Sequence, residues 1–282
     1  MAEATDGLLL IDKPDGITSH DAIDAVRRAL GLRRVGHAGT LDPMASGLLL
    51  VGVGRATRLL RFLGELDKEY EGTGRLGVET ATLDAEGEVV RTATPDVSRV
   101  ALDEAMRGLA GEIEQRPPAY SAVKVGGRKL YEAARKGERV EAPPRRVRVD
   151  TFEAVRFEPP DFDFRVVCSS GTYVRVLVAD VGARLGCGAH LTRLVRTRIG
   201  EFHVDEAVPP LDPGPPLPVE RTVAHLPRVD LDDDEADAAR HGRPLGPSGI
   251  EGPQAVFGPD GRLIGIYRDD GPRARPEVIL AG

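Results

Sequence analysis

Cysteine is scarce in this chain: only Cys168 and Cys187 occur among 282 residues. Two thiols make neither a disulfide framework nor a four-ligand zinc site. No apolar run approaches the roughly 18 residues of a membrane-spanning helix. The opening residues, Met1 to Asp6, are acidic, and the apolar stretch Leu8-Leu9-Leu10-Ile11 is short, unlike a signal peptide. These absences predict a cytoplasmic protein. His20, His37 and Asp42 show no metal-ligand spacing. Gly52-Val53-Gly54 lacks the third glycine of a dinucleotide loop. The reading therefore expects no metal and no cofactor. No internal repeat is visible. Hydrophobic residues make up 41% and charged residues 29%, so a sizeable core is available and disorder is excluded. Length sets an expectation of about two domains.

The net charge of -7 at first argues against a nucleic-acid partner. Its distribution reverses that reading. Residues 201–282 carry 8 basic and 16 acidic residues, which leaves 30 basic and 29 acidic residues in 1–200. A near-neutral body still accommodates a local basic surface for a polyanion. Residues 124–148 are rich in glycine and basic side chains (Lys124, Arg128, Lys129, Arg135, Lys136, Arg139, Arg145, Arg146, Arg148). That composition fits either a solvated surface or an arm that grips phosphates. Arg55, Arg58 and Arg61 recur at helical spacing, and Arg193, Arg196 and Arg198 cluster further on; both sets are phosphate-contact candidates.

The pattern of elements predicts an α+β fold with a mixed, largely antiparallel sheet flanked by helices and loops. Gly7–Ile11 and Leu48–Val53 read as buried strands. Thr18 or Ser19 caps a helix over Asp21–Leu30 that stops at Gly31. A helix is expected near Ala56–Leu63, and another over Val100–Leu109. Glu69–Leu76 and Glu88–Arg91 read as paired strands. Val147–Phe157 and Phe162–Cys168 alternate with period two about the turn Glu158-Pro159-Pro160-Asp161, and Tyr173–Leu185 reads as an amphipathic helix. The prolines of 208–218 predict a stiff extended linker. Beyond it, 219–282 forms a small acidic module with a hairpin over Gln254–Tyr267.

The most informative stretch is Gly36-His37-Ala38-Gly39-Thr40-Leu41-Asp42-Pro43-Met44-Ala45-Ser46-Gly47. Its glycines permit unusual backbone angles and close ligand approach. Pro43 restricts Asp42. A carboxylate on a rigid loop is placed to act as nucleophile or base, although Asp-Pro in a loop is ordinarily a turn. By themselves, His37 reads as a surface or hydrogen-bonded histidine and Leu194 as a core leucine.

This loop resembles the catalytic loop of the TruB-type tRNA pseudouridine synthases, and four further segments match in order. Leu10-Ile11-Asp12-Lys13-Pro14-Asp15-Gly16-Ile17-Thr18-Ser19 resembles that family's opening. Asp67-Lys68-Glu69-Tyr70 resembles its second motif. Gln115 to Lys124 leads into a thumb-like insertion at about 124–148. Cys168 to Arg175 is similar to its tyrosine–arginine motif, and Gly186 to Thr197 to its last one. The resemblance implies a pseudouridine synthase fold over 1–207 and a β-rich, PUA-like RNA-binding domain over 219–282.

It also implies the activity: isomerisation of a uridine in the T-arm loop of tRNA, position 55, to pseudouridine. The partner is then the tRNA T-stem-loop, bound by a monomer with no membrane association. Asp42 maps to the essential carboxylate, Tyr70 to the base-stacking tyrosine and Arg175 to the arginine pairing with the carboxylate. His37 maps to the residue filling the gap left by the flipped nucleotide, and Tyr173 and Leu194 to the lining of the uracil pocket. Lys13 reads as support for the loop. A guanidinium beside Asp42 favours its charged form. Arg175 follows Tyr173 by two positions, so a shared face requires the strand to run on to about Arg175. A glycosidase-like hydrolase is the rival enzyme, but it needs a second carboxylate. A non-catalytic RNA binder is the other rival, and it has no need of Asp42.

Overall fold

The computed structural model describes residues 6–121, 123–130, 140 and 142–280. Arg135, Lys136 and Arg139 of the basic segment lie outside the described residues. Strand β1 (Gly7–Lys13) leads into helix α1 (Ser19–Leu30). Thr18 caps this helix, Asp21 completes a capping box, and Gly31 ends it at φ 66°. Then come β2 (Val35–His37), β3 (Ala45–Val53) and helix α2 (Leu60–Gly64). The helix expected near Ala56–Leu63 is two pieces, a 3₁₀ turn over Gly54–Arg58 and then α2.

Strands β4 (Lys68–Leu76), β5 (Val78–Thr80) and β6 (Val89–Thr92) precede helix α3 (Arg99–Arg107) and β7 (Gly111–Gln115). The short hairpin β8 (Lys124–Val125) and β9 (Arg128–Lys129) is followed by β10 (Arg145–Glu158) and β11 (Asp161–Cys168). Next are helix α4 (Val174–Arg184), β12 (Ala189–Ile199), β13 (Phe202–His203) and β14 (Leu217–Pro218). The C-terminal module comprises β15 (Arg228–Asp230), helix α5 (Asp233–Arg240), β16 (Pro253–Phe257), β17 (Leu263–Asp270) and β18 (Arg273–Ile279).

The large sheet runs β14-β1-β3-β12-β4-β11-β10-β7, with β2 beside β3 and β13 beside β12. Only β3 and β12 pair in parallel along that path, so the sheet is mixed and largely antiparallel. Helices α3 and α4 pack on one region of it, where Leu102, Met106, Leu177 and Val181 meet Phe162, Phe164 and Leu191. β1 and β3 are buried on both faces: α1 covers Leu9, Ile11, Leu49 and Val51, while Leu8, Leu10, Leu48 and Leu50 face the other way. That is why these strands read as unbroken apolar runs. A Cβ at Gly72 or Gly74 of β4 would collide with the rings of Phe164 and Phe162, so glycine there makes room for the core aromatics.

Three expectations change. Val89–Thr92 pairs with β5, not with β4, whose neighbours are β11 and β12. Gly77 at φ 83° breaks the chain after β4, so β5 and β6 close locally. The strand before Arg175 stops at Cys168. A turn centred on Gly171 follows, and Tyr173 is the N-cap of α4. Arg175 therefore sits in the first helical turn. The proline-rich segment 208–218 is docked, not free: Val208 bridges Ile11, and β14 pairs with Gly7 and Leu8.

The second sheet, β15-β16-β17-β18, packs against α5 through Val256, Ile264 and Tyr267. It meets the rest of the molecule where Leu59 and Phe62 join Val223, Phe257 and Ile266 in one apolar cluster. Arg58 donates to the Ile279 carbonyl, Arg61 pairs with Glu277 at 2.6 Å, and Arg55 donates to the Leu280 carbonyl at 2.9 Å. These three arginines bind the C-terminal module, a role their helical spacing does not suggest.

Candidate active site

Four elements fix the loop between β2 and β3. Ser19, the first residue of α1, bonds both faces of Leu41: its hydroxyl accepts from the Leu41 amide at 2.8 Å and donates to the Leu41 carbonyl at 3.0 Å. From β1, the buried Lys13 ammonium donates to the carbonyls of Pro14, Ile17 and Pro43. Lys13 thus supports the loop, as its position beside Pro14 suggested. From β12, Arg196 donates to the carbonyls of Leu48 and Gly39. Within β3, Gly47 at φ 100° lets the parallel β12 approach, since a Cβ there would collide with the Arg196 carbonyl.

Asp42 emerges from this loop with its side chain 39% exposed, and its Oδ2 stands 3.6 Å from the Arg175 Nε. The Arg175 side chain is 5% exposed. Its other nitrogens are engaged: Nη1 pairs with Asp84 at 3.1 Å, and Nη2 donates to the Tyr120 carbonyl. Nε makes no hydrogen bond among the described residues and faces Asp42. A cation in the first turn of a helix opposes the helix dipole, so carboxylate partners are needed to hold it there. Asp84 is itself buried and is oriented by the Thr82 hydroxyl and the Glu86 amide.

Burial pushes the Asp42 carboxyl above the ordinary carboxylate value; Arg175 opposes this and Asp84 adds to it. The guanidinium therefore does not fully offset desolvation in the RNA-free protein. Tyr70, on β4, is buried in the cluster that holds Leu41 and Leu194, and burial raises its phenol pKa. Tyr173 is fixed at the head of α4 by Gln115, which accepts from its amide at 2.9 Å and donates to its carbonyl at 3.3 Å. The Arg145 guanidinium lies 4.7 Å from the Tyr173 ring centroid, and that of Arg175 lies 5.9 Å away. His37 is half-buried on β2; burial and then Arg196 depress its pKa, so it is neutral at physiological pH.

The structure therefore brings Arg175 against Asp42 and beside the Tyr173 ring, and sets Tyr70 and Leu194 in the buried cluster that also holds Leu41. His37 stands at the loop's other end. Sequence reading missed Asp84, placed in a turn, and passed over Gln115 inside a motif. Cys168 is buried, with its thiol pushed up to about 11, and His190 bonds the Val78 carbonyl. No metal-binding cluster occurs among the described residues.

A profile of the TruB family pseudouridylate synthase N-terminal domain matches residues 27–174, more than half the chain. The chain belongs to the TruB family of pseudouridylate synthases. Profiles of the tRNA pseudouridylate synthase B C-terminal domain and of the tRNA pseudouridine synthase II C-terminal region match 175–210 and 226–281. Together these three matches include His37, Asp42, Tyr70, Tyr173, Arg175 and Leu194. A tRNA pseudouridine synthase B of Mycobacterium sp. (strain KMS) is 48% identical over 97% of this chain and 96% of its own length. That of Thermobifida fusca (strain YX) is 46% identical over 98% and 99%. Among solved structures, a Cbf5-Nop10-Gar1 complex matches with a TM-score of 0.76 at 28% identity, covering 97% of this chain and 84% of the matched one. An H/ACA RNP bound to a substrate RNA containing 2′-deoxyuridine matches with a TM-score of 0.75 at 25% identity, covering 98% and 85%. No described helix is long and apolar enough to cross a membrane.

Proposed function

We propose that this chain converts a uridine in the T-arm loop of tRNA, position 55, to pseudouridine, with Asp42 as the essential carboxylate. The observation that carries this reading is the half-exposed Asp42 carboxyl held 3.6 Å from a buried guanidinium. The Asp42 face that stays open is where a nucleoside drawn out of its stack would meet it. The C1′–N1 bond breaks and a C1′–C5 bond forms; the proton lost at C5 is matched by one gained at N1. The reaction is thus redox-neutral and balances without a cofactor. Arg175 steadies the ionised carboxylate, Tyr70 and Leu194 bound the uracil site, and Tyr173 supplies an aromatic wall. His37, neutral and half-buried, fills the space the base vacates.

The catalytic unit is taken as 1–207 and the RNA-binding C-terminal unit as 219–282, working as a monomer because one chain supplies the whole site. Residues 124–148 are the arm that holds the RNA. A family relationship to tRNA-modifying relatives supports the choice of tRNA. The test is incubation with an unmodified tRNA transcript followed by pseudouridine mapping at base resolution. Pseudouridine at position 55 is expected. Released uracil would instead identify a hydrolase, and unchanged bases a binder.

A further inference from the structure

Arg196 has no role in the chemistry above, yet it is the largest fully buried side chain among the described residues, 1% exposed. It lies on β12 directly across from Tyr70 of β4 in the strand register. Nε donates to the Leu48 carbonyl at 2.7 Å and Nη2 to the Gly39 carbonyl at 3.2 Å. Those two carbonyls stand on either side of the segment that carries Asp42, so one rigid fork closes the neck of the loop. Among the described residues it has no carboxylate within ion-pair distance. Its neighbours are instead basic or phenolic: Lys13 from β1, His37 from β2, and Lys68 and Tyr70 from β4. A buried cation near the ammonium groups of Lys13 and Lys68 is costly, and packing alone would be served by an apolar side chain of similar volume.

We propose that Arg196 is a positioning residue of the active site: its permanent charge and planar fork hold the Asp42 loop closed against the strand that carries Tyr70. It touches no substrate and acts through the loop. A lysine cannot reproduce it, because an ammonium lacks the two-pronged geometry and loses its proton when buried. The inference rests on the proposed function only for its kinetic readout.

The experiment compares wild type, Arg196→Lys and Arg196→Met. Single-turnover pseudouridine formation and tRNA affinity are measured from pH 6.5 to 9, together with hydrogen exchange of the 38–48 peptides. Arg196→Lys is expected to slow the chemical step at least about tenfold at pH 7, with affinity within about threefold. Its rate relative to wild type falls further as pH rises, because the buried lysine discharges, which poorer packing alone does not do. Exchange of 38–48 speeds up at least about tenfold while that of the C-terminal sheet is unchanged. A lysine variant within about twofold of wild type, a deficit that is constant with pH, a deficit confined to affinity, or unchanged exchange overturns the proposal. If the methionine variant does not fold, the lysine variant decides. If wild type makes no pseudouridine, the proposed function fails, and exchange in the variants still decides the role of Arg196.

Discussion

Asp42 and Asp84 share one guanidinium but play opposite parts. The raised pKa of Asp42 means the folded protein holds its proton more tightly than the unfolded chain does. Between the ordinary carboxylate value and the raised one the folded state binds more protons, so this group's contribution to stability falls as pH rises. Asp42→Asn is therefore expected to abolish turnover, to keep tRNA affinity within about threefold, and to unfold no earlier than wild type at pH 7. Single-turnover assays, filter binding and thermal melts check each part. In wild type, the rate should rise with pH through a midpoint above the usual carboxylate range. Asp84→Ala removes the buried partner of Arg175. Loss of one member of a buried pair costs about 3–5 kcal/mol, which urea unfolding would show. It also removes a charge that raises the Asp42 pKa, so the acid limb of the rate profile should move to lower pH.

Short elements set the geometry of the loop. The Thr18 cap fixes the start of α1, and the next residue, Ser19, grips Leu41. Thr18→Ala should cost about 1 kcal/mol of stability and speed exchange at the Leu41 amide. Lys68, at the head of β4, donates to the carbonyls of Gly64, the last residue of α2, and Leu66 just beyond it. Burial, and next the Arg196 charge, lower its pKa from 10.5 to about 8. The unfolded chain then binds more protons between those values, so stability gains from this residue as pH rises from about 8 toward 10.5. A Lys68→Met variant should lose that alkaline gain when melting temperature is followed against pH. At this scale the sequence was readable where a cap, a turn or a hairpin speaks locally: α1 with its glycine stop, the β10–β11 hairpin and the β16–β17 hairpin all form as expected. It misled where a single residue interrupts a strand. Glu88–Arg91 reads as a strand paired with Glu69–Leu76, but the break at Gly77 makes β5 the mate of β6.

For the whole molecule, the junction between the two sheets depends on arginines whose helical spacing suggests a solvent face. Arg58 and Arg61 meet Ile279 and Glu277 at the end of the chain. Replacing both with glutamine should lower the melting temperature while leaving the salt dependence of tRNA binding unchanged. Were these side chains bound to RNA phosphates, the same replacement would reduce that slope by roughly one unit per residue. Affinity measured from low to high salt separates the two.

The sequence by itself determined the family, the candidate site loop around Asp42 and the main strands, because ordered motifs, caps and apolar runs are properties of neighbouring residues. Only the tertiary structure decided how charge is distributed around the loop. Asp84 lies in an acidic turn and Arg196 in an alternating strand, and either pattern by itself reads as solvent-facing. Both become buried partners only when β4, β12 and α4 are brought together. Burial makes an ion pair or an uncompensated charge consequential, and burial is a property of the assembled fold.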